Sequence, residues 1–186
     1  MKVQEICSAR WYHYSHYSST IECFSPLITH FGTKKAAMKR RDDCLNLSMP
    51  YPREVDPALY ECCVMIEQED ILEMEDWGSG SEWSLFAQLK RKFGSDNPEI
   101  AKINSDIDFR REEIQRKEGL DVNKAKKRAA KEKESRESIV DFLTEKGCKV
   151  ICYSNCHEDS GKYSLTVIDP SIVTIREVIP LSLRAG

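Results

Sequence analysis

The sequence predicts an α+β fold. Three observations point there. Strand-like segments stand at both ends of the chain, at Ser8 to Tyr17, Leu59 to Ile66, Lys149 to Tyr153 and Tyr163 to Ile168. Helical patterns occupy Lys34 to Cys44 and most of Glu82 to Lys146. The resulting order is strands, a helix, a strand, helices, then strands, which is the order of an α+β chain.

Each element has its own local reason. Ser8 to Tyr17 is rich in aromatic residues and suits a strand. Phe24 to Phe31 is short, apolar and interrupted by Pro26. Gly32-Thr33 predicts a turn into a helix over Lys34 to Cys44, with Thr33 as its cap. Met49-Pro50-Tyr51-Pro52 punctuates the chain. Leu59 to Ile66 predicts a strand that Ile71 to Met74 continues after a bend. Gly78-Ser79-Gly80-Ser81 reads as a loop. Trp83, Phe86 and Leu89 mark one face of an amphipathic helix over Glu82 to Phe93.

Two longer helices follow. Asn97 caps the first, with Pro98 at its opening position. Ile100, Ile103, Ile107 and Ile114 form its apolar stripe. Gly119-Leu120-Asp121 breaks it, and Asp121 caps a second helix that runs to Lys146 and stops at Gly147. Asn97 to Lys146 therefore reads as a helical hairpin. Lys149 to Tyr153 and Tyr163 to Ile168 then flank a turn at Asn155 to Gly161. Asp169-Pro170-Ser171 ends the second of these strands, and Val173 to Val178 is a last one.

Composition bounds the function classes. The 186 residues suit one domain with one elaboration. Net charge is -3, which argues against a uniformly basic nucleic-acid-binding surface. No stretch reaches the roughly 20 apolar residues of a membrane span, and the N-terminus has no apolar core of a signal peptide. A cytoplasmic protein with reduced cysteines is the expectation. Cys148, Cys152 and Cys156 recur every fourth residue with His157 next, which is not a common zinc spacing. They read as small buried hydrophobes on one strand face, as do Cys62 and Cys63, and no metal is expected.

The chemistry-bearing residues cluster at the two ends. They are Tyr12-His13-Tyr14-Ser15, Thr29-His30-Phe31-Gly32-Thr33, and Tyr153-Ser154-Asn155-Cys156-His157-Glu158, followed by Tyr163-Ser164. There is no G-x-S-x-G elbow, no P-loop and no G-x-G-x-x-G. His13 reads equally as a ligand and as a satisfied strand histidine. His30 reads as a site residue or as one that closes the corner. His16 is expected at the surface, and His157 on the face opposite Glu158 if the strand continues.

In order, the stretches YHYS, HFGTKKAAMKR, YSNCHE and YSLTVIDPS resemble the ADP-ribosyltransferase superfamily, especially its small bacterial and phage members. The resemblance covers roughly residues 9–93 and 147–180. It implies a split antiparallel β core made of residues 1–93 and 147–186, with an inserted helical hairpin at 94–146. Tyr14 stands where the family carries a glycine, and the order in Tyr163-Ser164 is the reverse of the family's.

The resemblance also implies the chemistry. NAD would be a substrate, losing nicotinamide through an oxocarbenium-like transition state at its ribose. Glu158, His13 and His30 would be the catalytic residues. Glu158 would stabilise the charge developing on that ribose. His13 would hold the ribose and adenosine end. His30 with Phe31 would stack on nicotinamide. Thr33 and Ser15 would add hydrogen bonds, with Tyr14, Gly32, Tyr153 and Asn155 also against NAD. The implied activity is mono-ADP-ribosyl transfer, a glycosyltransferase reaction, to a host or cellular macromolecule by a phage or bacterial effector. A protein target is expected, bound by the hairpin at 97–146; nucleic acid is the less expected target.

Two other readings stand beside it. The fold could be an inactive binding module whose hairpin inhibits a protein partner such as a bacterial defence system. An RNA-directed relative would use two histidines with basic residues, but the last strand offers Glu158 instead. The run Lys124 to Arg136 holds seven Lys/Arg and two Glu. It is either a solvated helix face or a contact surface for an acidic protein or RNA. Glu54 to Asp76 holds nine carboxylates and would repel nucleic acid from its side.

Overall fold

A computed structural model describes residues 3–16, 21, 24–27, 29–46, 56–77 and 82–182. The Pro-rich punctuation at 49–52, the loop at 78–81 and the Tyr17 end of the first expected strand lie outside them. The chain forms two compact units. One joins Met1–Asp76 to Cys148–Gly186 and carries both sheets. The other, Trp77–Gly147, is helical. The fold is mixed α+β, with one antiparallel and one mixed sheet. Among the described residues no helix is long and apolar enough to cross a membrane.

The sheet-bearing unit begins with a short helix, α1 (Val3–Ser8), where the aromatic strand was expected to start. The strand itself, β1, is Trp11–Ser15. The apolar stretch before the corner yields only β2 (His30–Phe31), because Pro26 and Leu27 form a turn and Leu27 takes a positive φ of 61°. Helix α2 (Lys34–Asn46) starts as expected, with the Thr33 hydroxyl oxygen accepting from the Ala36 N–H at 3.1 Å. Then come β3 (Ala58–Val64), β4 (Ile71–Met74), β5 (Val150–Asn155), β6 (Lys162–Val167) and β7 (Val173–Pro180).

The strands form a three-stranded sheet in the order β1-β3-β7 and a four-stranded sheet in the order β2-β6-β5-β4. The expectation that β4 continues β3 is corrected here. A 3-10 turn at Gln68–Asp70 redirects the chain, and β4 pairs in parallel with β5 in the other sheet. Asp70 anchors the turn, since its carboxylate accepts the Glu67 N–H at 2.8 Å and pairs with Lys149 at 3.1 Å. The two sheets meet where Tyr12 and Gly32 exchange backbone hydrogen bonds of 2.8 and 3.0 Å.

Pleating sorts the side chains. Trp11, Phe24, Phe31, Tyr60, Val150, Cys152, Leu165 and Val167 enter one core. Edge-to-face contacts tie Phe24 to Phe31 at 4.9 Å and to Tyr60 at 5.9 Å. Such pairs add about 0.5–1.5 kcal/mol each beyond area burial. Tyr14 faces the other way, into a smaller cluster with Ala37 and Leu59 beneath α2.

The helical unit contains α3 (Glu82–Phe93), α4 (Pro98–Glu118), α5 (Val122–Lys131) and α6 (Lys133–Glu145). Helix α3 belongs to this unit, and the expected second helix is two, separated at Glu132. The caps fall where the sequence puts them. Asn97 accepts from Glu99 and Ile100, Asp121 from Asn123 and Lys124, and Gly119 takes a left-handed φ of 66°. Ile100, Ile103, Ile107 and Ile114 are buried with Phe86, Leu89, Ile139 and Phe142. The basic run is largely spent inside this unit: Arg136 pairs with Glu82, Arg128 with Glu118, and Lys126 lies over the Trp83 ring.

Candidate functional site

Three elements assemble the candidate site: β2, the β5–β6 hairpin and α2. In β2 the pleat sends Phe31 into the core and His30 to the opposite face. In β5 and β6 it sends Val150, Cys152, Leu165 and Val167 to the core. Tyr153, Asn155, Ser164 and Thr166 therefore share the face that His30 occupies. His30 pairs with Thr166 in register, and Tyr153 with Ser164.

Hydrogen bonds join these side chains into one line. His30 Nδ1 lies 3.0 Å from Tyr153 Oη and 2.9 Å from Thr166 Oγ1. Ser164 stands directly opposite Tyr153 in the β5–β6 register. The Asn155 Nδ2 group donates to Ser164 Oγ at 2.9 Å and to Glu158 Oε2 at 3.0 Å. Glu158 lies in the turn, three residues past the strand's last residue, Asn155. The Glu158 side chain is only 13% exposed.

Asn155 makes that turn. Its Oδ1 accepts the backbone N–H groups of His157, Glu158 and Asp159 at 3.1, 2.8 and 3.3 Å. Asp159 then fastens the turn to the start of α2, accepting from Thr33 Oγ1 and from Lys35 Nζ, both at 2.7 Å. The Lys35 ammonium, then the Thr33 hydroxyl, hold the Asp159 carboxyl below the usual carboxylate range. Asp76 closes the outer side by accepting the Cys156 N–H at 2.9 Å.

Helix α2 supplies a residue that sequence reasoning did not single out. Thr33, Ala36 and Arg40 fall at helical spacing on one stripe. Arg40 Nη1 reaches 3.9 Å from Glu158 Oε1. Its positive charge is also felt by His13, His30 and Tyr153. The signal was present in the sequence as the spacing of Arg40 from the corner residue Thr33.

His13 and His30 are neutral at neutral pH. Burial, offset in part by the His30 carbonyl, lowers His13 to about 4. Burial and then Arg40 lower His30 to about 3. Burial, followed by the Glu158 and Asp76 carboxylates, pushes the Tyr153 phenol upward, so it stays protonated.

The sequence-predicted residues separate into two groups. Glu158, His30, Thr33, Gly32, Tyr153 and Asn155 come together. His13 joins through its Nδ1, 3.0 Å from the His30 carbonyl oxygen, but its ring leans on Phe24, Phe31 and Tyr60. Four of the residues expected against NAD are buried. Phe31 is a core residue and does not present its ring at the site. Tyr14 is packed beneath α2, with Oη 3.0 Å from His16 Nδ1. Tyr153 and Asn155 are buried, and their polar atoms bond to the protein itself. Ser15 is half-buried at the end of β1.

The cysteines divide as well. Cys148, Cys152 and Cys62 are buried as expected, Cys63 is half-buried, and Cys156 is exposed because β5 has ended before it. Burial pushes the Cys62, Cys148 and Cys152 thiols up to about 12. Among the described residues no three His, Cys, Asp or Glu side chains gather as a metal site would require.

No protein-family model, curated protein or solved structure matches the chain.

Proposed function

We propose that the sheet-bearing unit is an ADP-ribosyltransferase-like domain that binds NAD and transfers ADP-ribose to a macromolecule in the cytoplasm. The observation that carries this reading is the polar line from His30 to Glu158, hydrogen-bonded from His30 to Tyr153 and from Ser164 through Asn155 to Glu158, with Tyr153 and Ser164 facing each other across the strands. Residues far apart in the chain, singled out for one reaction, lie within one network. The two sheets, meeting at Tyr12 and Gly32, fit a split β core.

Glu158 suits the charge-stabilising role because its carboxylate is oriented by Asn155 and its side chain keeps 13% of its surface exposed. The transfer breaks the ribose–nicotinamide C–N bond, and nicotinamide leaves with the bonding pair. The acceptor then bonds to the ribose carbon and releases one proton. Glu158 stabilises the cationic ribose between these events. His13 offers an acceptor nitrogen for a ribose hydroxyl. Tyr14, the departure from the family glycine, packs away from His13, so its bulk does not crowd that ring.

Labelled NAD incubated with the protein and cell lysate tests the reading. Label transfer to a protein band by wild type, and its loss in Glu158→Gln, are the expected results. No transfer by a wild type that is folded would overturn it. A second reading, an inactive binding module, is favoured by the burial of Tyr153, Asn155 and Phe31. Direct measurement of NAD binding separates the two, since only the first requires it.

A further inference from the structure

We infer that Asn155 is the positioning residue of this site: one amide orients the Glu158 carboxylate and, through Ser164 and Tyr153, sets which ring nitrogen of His30 carries the proton. The inference rests on the proposed ADP-ribosyl transfer for its chemical purpose. Its geometry stands in the free protein.

The amide is committed at both ends. Three backbone N–H groups converge on one of its terminal atoms, so that atom is the oxygen and the other is Nδ2. Nδ2 has two protons and two partners, Glu158 Oε2 and Ser164 Oγ. Asn155 is 2% exposed, so no water competes freely for these groups. Glu158 is thus held twice by the same side chain: its backbone N–H donates to Oδ1, and its carboxylate accepts from Nδ2.

The second arm has a direction. Because Ser164 Oγ accepts from Asn155, its own proton can turn towards Tyr153, its partner directly across the β5–β6 ladder. Tyr153, a protonated phenol, then donates to His30 Nδ1 at 3.0 Å. In this assignment His30 Nδ1 is the lone-pair nitrogen and the ring proton sits on Nε2. Hydrogen bonds aligned head to tail polarise one another, so the line strengthens as a unit. Thr166 Oγ1, at 2.9 Å from the same nitrogen, can adapt by rotating its hydroxyl.

A simple turn-forming asparagine would need only Oδ1. Asn155→Asp keeps that oxygen and replaces Nδ2 by another, which separates the two roles. The experiment reads the nitrogen-15 ring signals of His30 in the free protein, together with the pH profile of NAD turnover, for wild type, Asn155→Asp and Ser164→Ala. Wild type should show a single Nε2–H form. Asn155→Asp should mix the two ring forms, lower turnover by on the order of tenfold, and move the acid limb to higher pH, because a second carboxylate then faces Glu158. Ser164→Ala should mix the ring forms and leave the acid limb in place.

Unchanged His30 signals in both variants would overturn the inference. So would a wild-type ring carrying its proton on Nδ1. If Asn155→Asp does not fold, the His30 signals of Ser164→Ala decide alone. Altered ring signals in a protein that binds no NAD would defeat the transfer reading and leave the Asn155 assignment standing. Normal turnover with unmoved signals and limb would do the reverse.

Discussion

The Nδ1 nitrogen of His13 lies 3.0 Å from the carbonyl oxygen of His30. A carbonyl oxygen only accepts, so Nδ1 carries the proton. The ring is neutral above about pH 4, and Nε2 therefore holds a lone pair. His13 can accept from a hydroxyl at neutral pH. It cannot act as a proton donor through Nε2 there. The same bond fixes β1 against β2 next to the junction of the sheets.

Neutral burial of His13 and His30 predicts acid sensitivity. Both have folded values below the ordinary 6.5, at about 4 and about 3. As pH falls below 6.5, the unfolded chain takes up protons that the folded rings refuse. Stability is therefore full above that pH and declines as pH falls towards about 4. Thermal melts from about pH 7.5 to about pH 5 should show a falling Tm, with a shallower slope in His13→Asn. A flat profile would refute the neutral, buried state of these rings.

Arg40 should act on the site through its charge. Arg40→Met keeps the aliphatic stem over the helix and removes the cation 3.9 Å from Glu158. Because Arg40 lowers both His13 and His30, their midpoints should rise in the variant. NMR titration measures this. NAD affinity should also fall, since the cation favours an anionic ligand. Midpoints that stay or drop would show that Arg40 does not face the histidines.

Gly32 is required by close approach and not by its backbone angle. A Cβ there would meet the Ala36 Cβ at 2.9 Å and Ser164 Oγ at 3.2 Å. Both neighbours are fixed, one on α2 and one in the Asn155 line. Gly32→Ala should destabilise the chain by about 1–3 kcal/mol, read by urea unfolding. A neutral result would mean that α2 and β6 can part without cost.

The helical unit has its own ion pair, with the carboxylate buried and the arginine half-buried. Arg136 donates to Glu82 Oε1 from Nε at 2.9 Å and from Nη2 at 2.8 Å. Glu82 Oε2 is buried and finds no partner among the described residues. Arg136→Ala should strand the carboxylate and cost about 3–5 kcal/mol. Arg136→Met with Glu82→Leu together should recover most of that loss. Equal losses in the single and double variants would refute the claim that the stranded charge is the cause.

Much of the fold was legible because its signals are local. Thr33, Asn97 and Asp121 cap helices by bonds that span two or three residues. The isoleucine stripe of α4 follows from the helical period alone. The misreadings were also local in origin. An apolar run around Pro26 suggested more strand than the turn allows. The break at Glu132 is hidden in a segment whose charged residues favour helix on both sides.

The site was legible in part. Glu158, His30 and Thr33, named from the resemblance in their order along the chain, lie together in the sheet-bearing unit. Arg40 was passed over because its spacing from Thr33 places it on that helix stripe without identifying Glu158 as the group it meets. Phe31, Tyr14, Tyr153 and Asn155 were assigned to a ligand because their residue types fit it. A sequence cannot say which face of a strand is covered until the opposing layer is known.

By itself the sequence determined the α+β class, the caps and the helical stripes. Those follow from interactions between neighbours a few positions apart. The tertiary structure decided that β4 leaves β3 for β5, that Arg40 meets Glu158, and that the Asn155 amide serves both Glu158 and Ser164. His30 and Tyr153 are 123 positions apart, and His30 and Thr166 are 136. Contacts of that range form only when the whole apolar core selects which faces turn inward, and the polar residues left on the other face then find one another.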